Sequence, residues 1–361
     1  MPDTAEHHIP LAHGGSDLPE VTLDDYNIEL KSGAGFVGDR ASKGAFNEIL
    51  EEWRERLRRV DSDPLGDTPT AELSKKRLEK ILASDDLEAV GLVHSAIEEF
   101  AGELTAVIRR FLRVKAWRDT ARIAIGGGFS GSRMGELAIG RASVLLKADG
   151  IETELVPIGH HPDEAGLIGA VHLVPRWMIA GHDAILAADI GGTNMRVGII
   201  AHDPKKRPYG AKSSVVKLEL WRHADDKPSR EEAVAHLVGM LKTLIAAAAK
   251  EKIVLAPFIG IGCPGVVTPD GMIESGGQNL PGNWQSQRFN LPTALREAIP
   301  QIGDEATSVL LHNDAVVQGL SQTPFMRDVE GWGVLTIGTG LGNAHFTNKG
   351  ANEKAKEKEK E

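Results

Sequence analysis

Residues Leu186–Ile200, LAADIGGTNMRVGII, set Asp189, Gly191, Gly192, Thr193 and Asn194 in a tight turn between two apolar stretches. Such a turn suits a phosphate. Glycines let the backbone come close, successive N–H groups can point at its oxygens, and Thr193 and Asn194 can add side-chain hydrogen bonds. Asp189, an anion beside an anion site, makes chemical sense with a cation between the two, so Mg²⁺ held by Asp189 through water is expected. A second turn of this kind, Gly338, Thr339 and Gly340 with Gly342 beyond, lies in GVLTIGTGLGNAHF. One such hairpin is more often a plain turn; two in one chain favour the phosphate reading. Between them, VLLHNDAVVQGLSQ places Asn313 and Asp314 where an apolar strand gives way to a helix. A carboxylate there can be a helix cap. Phosphoryl transfer from ATP to an alcohol, however, needs an acceptor for the hydroxyl proton, in line with the γ-phosphate, and Asp314 is the best-placed candidate.

A third glycine-rich turn, RIAIGGGFSGSRMGEL, satisfies G-x-G-x-x-G with Gly126, Gly128 and Gly131, and Glu152 or Glu154 follows at a distance suited to a ribose contact. Alone it is a dinucleotide signal, which would make the chain an oxidoreductase. A long helical stretch precedes it, so a structural glycine turn is the stronger competitor.

The elements that must position these residues alternate along the chain. Helical spacing marks Phe46–Val60, Leu87–Arg113, Met134–Lys147 and Arg230–Lys250; strands are expected in RIAIG, ETELVPI, AILAADI, MRVGIIA, SVVKLEL, IVLAPFIGIG, TSVLLH and GVLTIG. Mixed strands and long helices imply an α/β layer protein. PRWMIAGHDA, Pro175 to Ala184, reads as a hinge with Gly181 as its flexible point, and WRERLRR, Trp53–Arg59, as a solvated helix face. Residues 1–19 and the Lys/Glu tail 347–361 bury nothing that could offset their ordering entropy and are expected to be disordered.

The 361 residues are 41% hydrophobic and 25% charged, as in globular proteins. A net charge of −10 argues against a general nucleic-acid binder. Cys263 is the only cysteine, so no disulfide can form within the chain and no zinc site can rest on several thiolates. The first residues lack a signal peptide's apolar core, and no uninterrupted apolar run reaches membrane-spanning length; a cytoplasmic protein without a membrane partner is expected.

DIGGTNMRVGII, IGIGCPGVV, GGQNLPGNW, LLHNDAVVQGL and LTIGTGLGNAHF resemble, in this order, the phosphate-1 strand, glycine-proline turn, sugar loop, catalytic Asn-Asp and phosphate-2 hairpin of ROK-family sugar kinases, members of the hexokinase–actin ATPase superfamily. The segments that follow in the family lie at the front of this chain. NIELKSGAGFVGD resembles the segment after the phosphate-2 hairpin, RIAIGGGFSGS the adenosine turn and PIGHHPDEAGLIGAVHLV the closing helix. The resemblance covers about Tyr26 to Phe346 and implies a circular permutation, second half first.

It further implies two actin-like (ribonuclease H-like) α/β domains around an interdomain cleft that closes over substrate: a small domain at 165–316 and a large one combining 20–164 with 317–346. By resemblance, the reaction is ATP-dependent phosphorylation of a sugar hydroxyl, glucokinase-like, with Asp314 as general base. Gly127 and Gly128 would line adenosine, and Asn279, Asn313, Asp314 and Asp39 would bind the sugar. Asp39 and Ser42 stand where the family has the Glu and His of its glucose motif, and Asn47 where it has another Glu, which unsettles glucose as the substrate. The family's cysteine-rich zinc loop is absent, so no zinc site is expected. Family habit implies a homodimer. The competing reading is a non-catalytic sugar or nucleotide sensor that kept the kinase fold; a DNA-binding repressor is disfavoured because no winged-helix segment precedes the kinase-like part.

Overall fold

Runs such as AILAADI and LAPFIGIGC are apolar at nearly every position, as strands buried on both faces must be, and both form central strands. The computed structural model describes residues 12–33, 35–203 and 208–350. The main strands, in chain order, are β1 (Val21–Tyr26), β2 (Arg122–Gly126), β3 (Glu154–Pro157), β4 (Ala184–Ile190), β5 (Met195–Ala201), β6 (Ser214–Trp221), β7 (Leu255–Cys263), β8 (Ser308–Asn313), β9 (Gly331–Ile337) and β10 (Leu341–Asn348). The main helices are α1 (Lys43–Arg58), α2 (Lys75–Leu82), α3 (Leu87–Phe111), α4 (Arg133–Ala148), α5 (Pro162–Ile168), α6 (Arg230–Glu251), α7 (Leu291–Ala298) and α8 (Asp314–Leu320). The chain is thus mixed α/β. It divides into two compact units, one of residues 1–27, 164–330 and 346–361, the other of 28–163 and 331–345.

The first unit carries a five-stranded sheet in the order β8-β7-β4-β5-β6. β4 pairs parallel with β7, and β7 with β8; on the other side β4, β5 and β6 run antiparallel. α6 begins at a capping box in which Ser229 and Glu232 satisfy each other's backbone, and it lays Ala233, Leu237, Leu241 and Leu244 on the buried face of that sheet. By length and composition α6 is apolar enough to cross a membrane, the one such helix among the described residues; its buried face belongs to the core.

The other five-stranded sheet reads β1-β10-β9-β2-β3, with β9 parallel to β2 and β2 to β3. β10 runs on from the second unit into the first, and β1 is grouped with the first. In the second unit α1, α3 and α4 enclose an apolar core around α3, where Phe46, Phe100 and Phe129 meet ring to ring at 4.9–5.8 Å.

Several expectations need correction. Of the expected disordered segment 1–19, residues 1–11 lie outside the described residues, and 12–19 are not a loose leader: Gly14 donates to the Leu311 carbonyl at 3.0 Å, and Leu23 to that of Ser16 at 2.8 Å. At the other end β10 continues to Asn348, and Lys349 donates to the Glu20 carbonyl at 3.1 Å; residues 351–361 lie outside the described residues. The boundary expected at 316/317 would cut α8, a continuous helix packed on β7, so 317–330 stay with the first unit, as do 20–27. The hinge expected at Pro175–Ala184 is interior to that unit and buries Ile179. Arg54, expected on a solvated face, is fully buried: Nε meets Asp63 at 2.8 Å, Nη1 Thr70 at 2.6 Å and Nη2 the Gly66 carbonyl at 2.7 Å.

Candidate active site

In the first unit, β4 ends at Ile190, β5 begins at Met195, and Gly191–Asn194 fill the turn between them. Gly191 donates its N–H to the Asn194 carbonyl at 2.9 Å, so that amide is engaged in closing the hairpin. The short helical turn His223–Asp226 backs the loop. His223 Nε2 lies 2.8 Å from the Gly191 carbonyl, and the Ala224 N–H donates to that of Thr193 at 3.2 Å. A Cβ on Gly192 would stand 2.9 Å from the Cβ of Asn279, so the expected phosphate turn and sugar-loop residue are in contact. Asn279 itself is exposed, and its loop is tied down by Gln285, whose amide oxygen, oriented to satisfy its neighbours, accepts from Gly276 and Gly277 at 3.0 Å each.

Asp189 faces Arg196 in the antiparallel register of β4 and β5, with Arg196 Nη1 3.4 Å from its Oδ2. The chain itself therefore supplies part of the positive charge that Asp189 was expected to need. Gly166 of α5 makes room behind it: a Cβ there would come within 2.9 Å of the Asp189 carboxyl carbon.

Asp314 is the first residue of α8, directly after β8, and accepts the Ala315 N–H at 2.9 Å. The side chain is half-buried. Burial pushes its carboxyl up to about 7, and the negative charge of Asp189 adds to the rise. Cys263, at the end of β7 and in register with Asn313, is fully buried; burial and the charges of Asp314 and Asp189 push its thiol up. Asp189, Cys263 and Asp314 therefore share the carboxyl ends of β4, β7 and β8, where α/β sheets bind ligands. Asn313 is buried and caps α8, its Oδ1 accepting from Ala315 at 3.0 Å and Val316 at 3.3 Å while Nδ2 donates to the Gly265 carbonyl at 3.0 Å. The second Nδ2 hydrogen is what this geometry leaves for a ligand.

In the second unit, Gly127 has φ +85° and sits against the end of β9; a Cβ would fall 2.4 Å from the Ile337 carbonyl oxygen. The expected adenosine turn thus abuts the expected phosphate hairpin, Gly338–Gly340, which the Gly338 N–H closes onto the Gly340 carbonyl at 2.9 Å. Gly128 and Gly340 have open space where a Cβ would be; Thr339 and Gly340 are exposed. The Lys43 N–H at the start of α1 donates to the Gly338 carbonyl at 3.0 Å, which brings the preceding residues, exposed Asp39 among them, to this hairpin. Ser42 is the N-cap of α1: its hydroxyl accepts from Ala45 at 3.1 Å and donates to the Asp39 carbonyl at 2.8 Å. Glu154, the alternative ribose contact, pairs instead with Arg122 at 2.5 Å.

Among the described residues no group of three or more His, Cys, Asp or Glu gathers to hold a metal ion. Asp189 fits a hard cation that arrives with a polyphosphate and keeps its waters, since one carboxylate suffices for such outer contact.

Sequence reading missed Arg196, Gly166 and His223. Arg196 could have been found, because a four-residue turn places the residue before Ile190 opposite the one after Met195. Gly166 and His223 reach the turn from elements distant in sequence and carry no local signal.

No family model matches the chain, and no curated protein does. Among solved structures it is similar to a candidate N-acetylmannosamine kinase from Listeria monocytogenes, with 24% identity and a TM-score of 0.33 over 46% of this chain and 47% of the other. A candidate sugar kinase from Cytophaga hutchinsonii matches at 20% identity and a TM-score of 0.35 over 46% and 48%. The Ppx/GppA phosphatase of Aquifex aeolicus matches at 13% identity and a TM-score of 0.25 over 49% and 54%. The chain spans about half the length of these structures, and likenesses of this size carry no weight for the site.

Proposed function

We propose that the chain is an ATP-dependent sugar kinase of the ROK type, with two actin-like units in circularly permuted order. One observation carries the reading: Asp314, first residue of α8, stands at the carboxyl end of β8 on the strand ends it shares with Asp189 and the Gly191–Asn194 turn, where burial and the charge of Asp189 push its carboxyl up. A carboxylate raised toward working pH is suited to take a proton from an alcohol.

In the proposed mechanism Asp314 accepts the sugar hydroxyl's proton as the oxygen attacks the γ-phosphorus. Gly192, Thr193 and Asn194 hold phosphate oxygens, and Asn279 and the remaining Asn313 N–H orient the sugar. Asp189 would hold Mg²⁺, which when bound would supply charge neutralisation at the phosphates. Arg196 fixes the Asp189 carboxylate and limits its repulsion of the incoming anion. From the second unit we assign phosphate contacts to Gly338–Gly340, adenosine contacts to Gly127 and Gly128, and a sugar contact to Asp39.

Strand order supports the permutation independently of the motifs. In the first sheet the strands follow the chain as centre β4, then β5 and β6 on one side, β7 and β8 on the other. The second sheet has the same plan with β9 at the centre, β10 and β1 on one side, β2 and β3 on the other. The two are alike only if the chain is read as a circle, from β10 on to β1.

The test is ADP release with Mg-ATP across aldohexoses, amino sugars and polyols, for wild type and Asp314→Asn. Turnover with at least one sugar is expected, lowered by roughly 10²–10⁴-fold in the variant, the range for a lost general base. Turnover that survives the substitution would remove Asp314 as the base. The sensor reading is favoured by Ser42, whose hydroxyl is committed to capping α1; sugar binding without ADP release from any member of the panel would select it.

A further inference from the structure

Asp314 follows an edge strand. β8 ends the order β8-β7-β4-β5-β6, so one side of its backbone has no strand partner within the sheet. Residues 13–15 cover that side. The Gly14 N–H donates to the Leu311 carbonyl at 3.0 Å, and the Leu311 N–H donates to His13 Nδ1 at 3.0 Å. Gly14 is at φ +58°, and a Cβ there would fall 2.1 Å from the Val267 carbonyl oxygen, so only glycine fits this crossing.

The next residue on β8 is His312. Its Nδ1 accepts the Asn313 N–H at 2.8 Å, and its Nε2 lies 3.1 Å from the Gly15 carbonyl. An imidazole that accepts at Nδ1 and meets a carbonyl at Nε2 must be neutral, with its proton on Nε2. Burial holds it so, lowering its pKa to about 4. The Tyr26 ring packs edge-on against it with centroids 5.4 Å apart, and the Tyr26 hydroxyl accepts from the Val267 N–H at 3.2 Å. The residue that passes the Asn313 amide its hydrogen-bond partner is therefore anchored to a segment about 300 residues away in sequence.

We propose that His13–Gly15 and His312 form a positioning device for Asp314, His312 setting the direction in which the strand end delivers that carboxylate. The proposal rests on the reading of Asp314 as general base. His312 touches no substrate and is a positioning residue.

The experiment uses the full chain and three variants. His312→Phe keeps a ring against Tyr26 and removes both hydrogen bonds; His312→Asn restores an acceptor near the Nδ1 position; His13→Phe removes the acceptor for Leu311 from outside the catalytic machinery. Backbone hydrogen exchange over 308–316, kcat, and KM for ATP are measured. The expected result for His312→Phe is faster exchange at Asn313 and a kcat lowered about tenfold or more, with KM for ATP changed less than twofold. His312→Asn should recover most of kcat. His13→Phe should speed exchange at Leu311 and lower kcat less, and it carries the test if His312→Phe does not fold. Faster exchange with unchanged kcat would overturn the proposal and leave Asp314 as base; unchanged exchange would overturn it too. The wild type, measured alongside, separates these outcomes from failure of the kinase reading, in which no sugar is turned over at all.

Discussion

Asp314 makes two demands that pull in opposite directions. Its carboxyl is raised from 3.8 to about 7 by burial, so between those values the folded chain keeps a proton that the unfolded chain releases. Stability contributed by that proton is lost as pH rises from about 4 through 7, and above 7 the fold carries a half-buried charge. Asp314→Asn removes the cost. Its melting temperature should exceed that of wild type at pH 8 and converge on it below pH 4, read by thermal unfolding across pH. If Asp314 is the general base, the same group predicts an acid limb near pH 7 in kcat/KM. The glycines separate by what surrounds them. Gly127→Ala forces a methyl into the Ile337 backbone from a positive-φ residue and should destabilise the fold by a few kcal/mol, whereas Gly340→Ala meets open space. If the Gly338–Gly340 turn holds phosphate, Gly340→Ala should leave the melting temperature unchanged and raise KM for ATP. Both glycine runs look alike in sequence; only their neighbours distinguish them.

Among elements, local pattern was a sound guide wherever one face or both faces are buried. AILAADI and MRVGIIA fall on β4 and β5 residue for residue, because the apolar run and the Gly-Gly turn specify both ends. Pro175–Ala184 misled because Gly181 and Pro175 signal a break in regular structure, and such a break can as well be a packed corner as a hinge. Least legible was the ordering of residues 12–27, which owe their place to partners far along the chain. Glu20 is the main anchor: it contacts His172 Nδ1 at 2.9 Å, Arg176 at 2.8 Å and Arg327 at 2.7 Å. Burial alone would raise its carboxyl; the hydrogen bonds from His172 and Arg176 and the charge of Arg327 outweigh it and bring it down to about 2. The stability it adds is present above its ordinary value of 4.5 and is lost as pH falls toward 2. Glu20→Gln should cost about 1–3 kcal/mol at pH 7 and progressively less below pH 4.5, measured by denaturant unfolding.

For the whole chain, the shared strand plan of the two sheets makes a prediction about covalent order. Lys349 and Glu20 are bonded backbone to backbone, so the end of β10 lies beside the residue that leads into β1. A chain that begins at His182, runs to Gly350, continues through a short linker into residue 12 and ends at Gly181 would carry the order of the family it resembles. It should fold with a melting temperature within a few degrees of the original, by calorimetry, and, if the kinase reading holds, keep the same sugar preference in the ADP assay. Failure to fold would mean that the present order is needed to form one of the units rather than merely tolerated. Sequence motifs suggested the proposed permutation, while the shared plan of the two sheets needed strand neighbours that no motif encodes.

Cys263, sealed at the end of β7 with its thiol held protonated, leaves the native surface without a reactive sulfur. A pair of cysteines placed by design at exposed positions would therefore be the only sites open to maleimide dyes. The protein comes ready for single-molecule distance measurements, with its own sulfur as a silent reporter that answers only when the first unit opens.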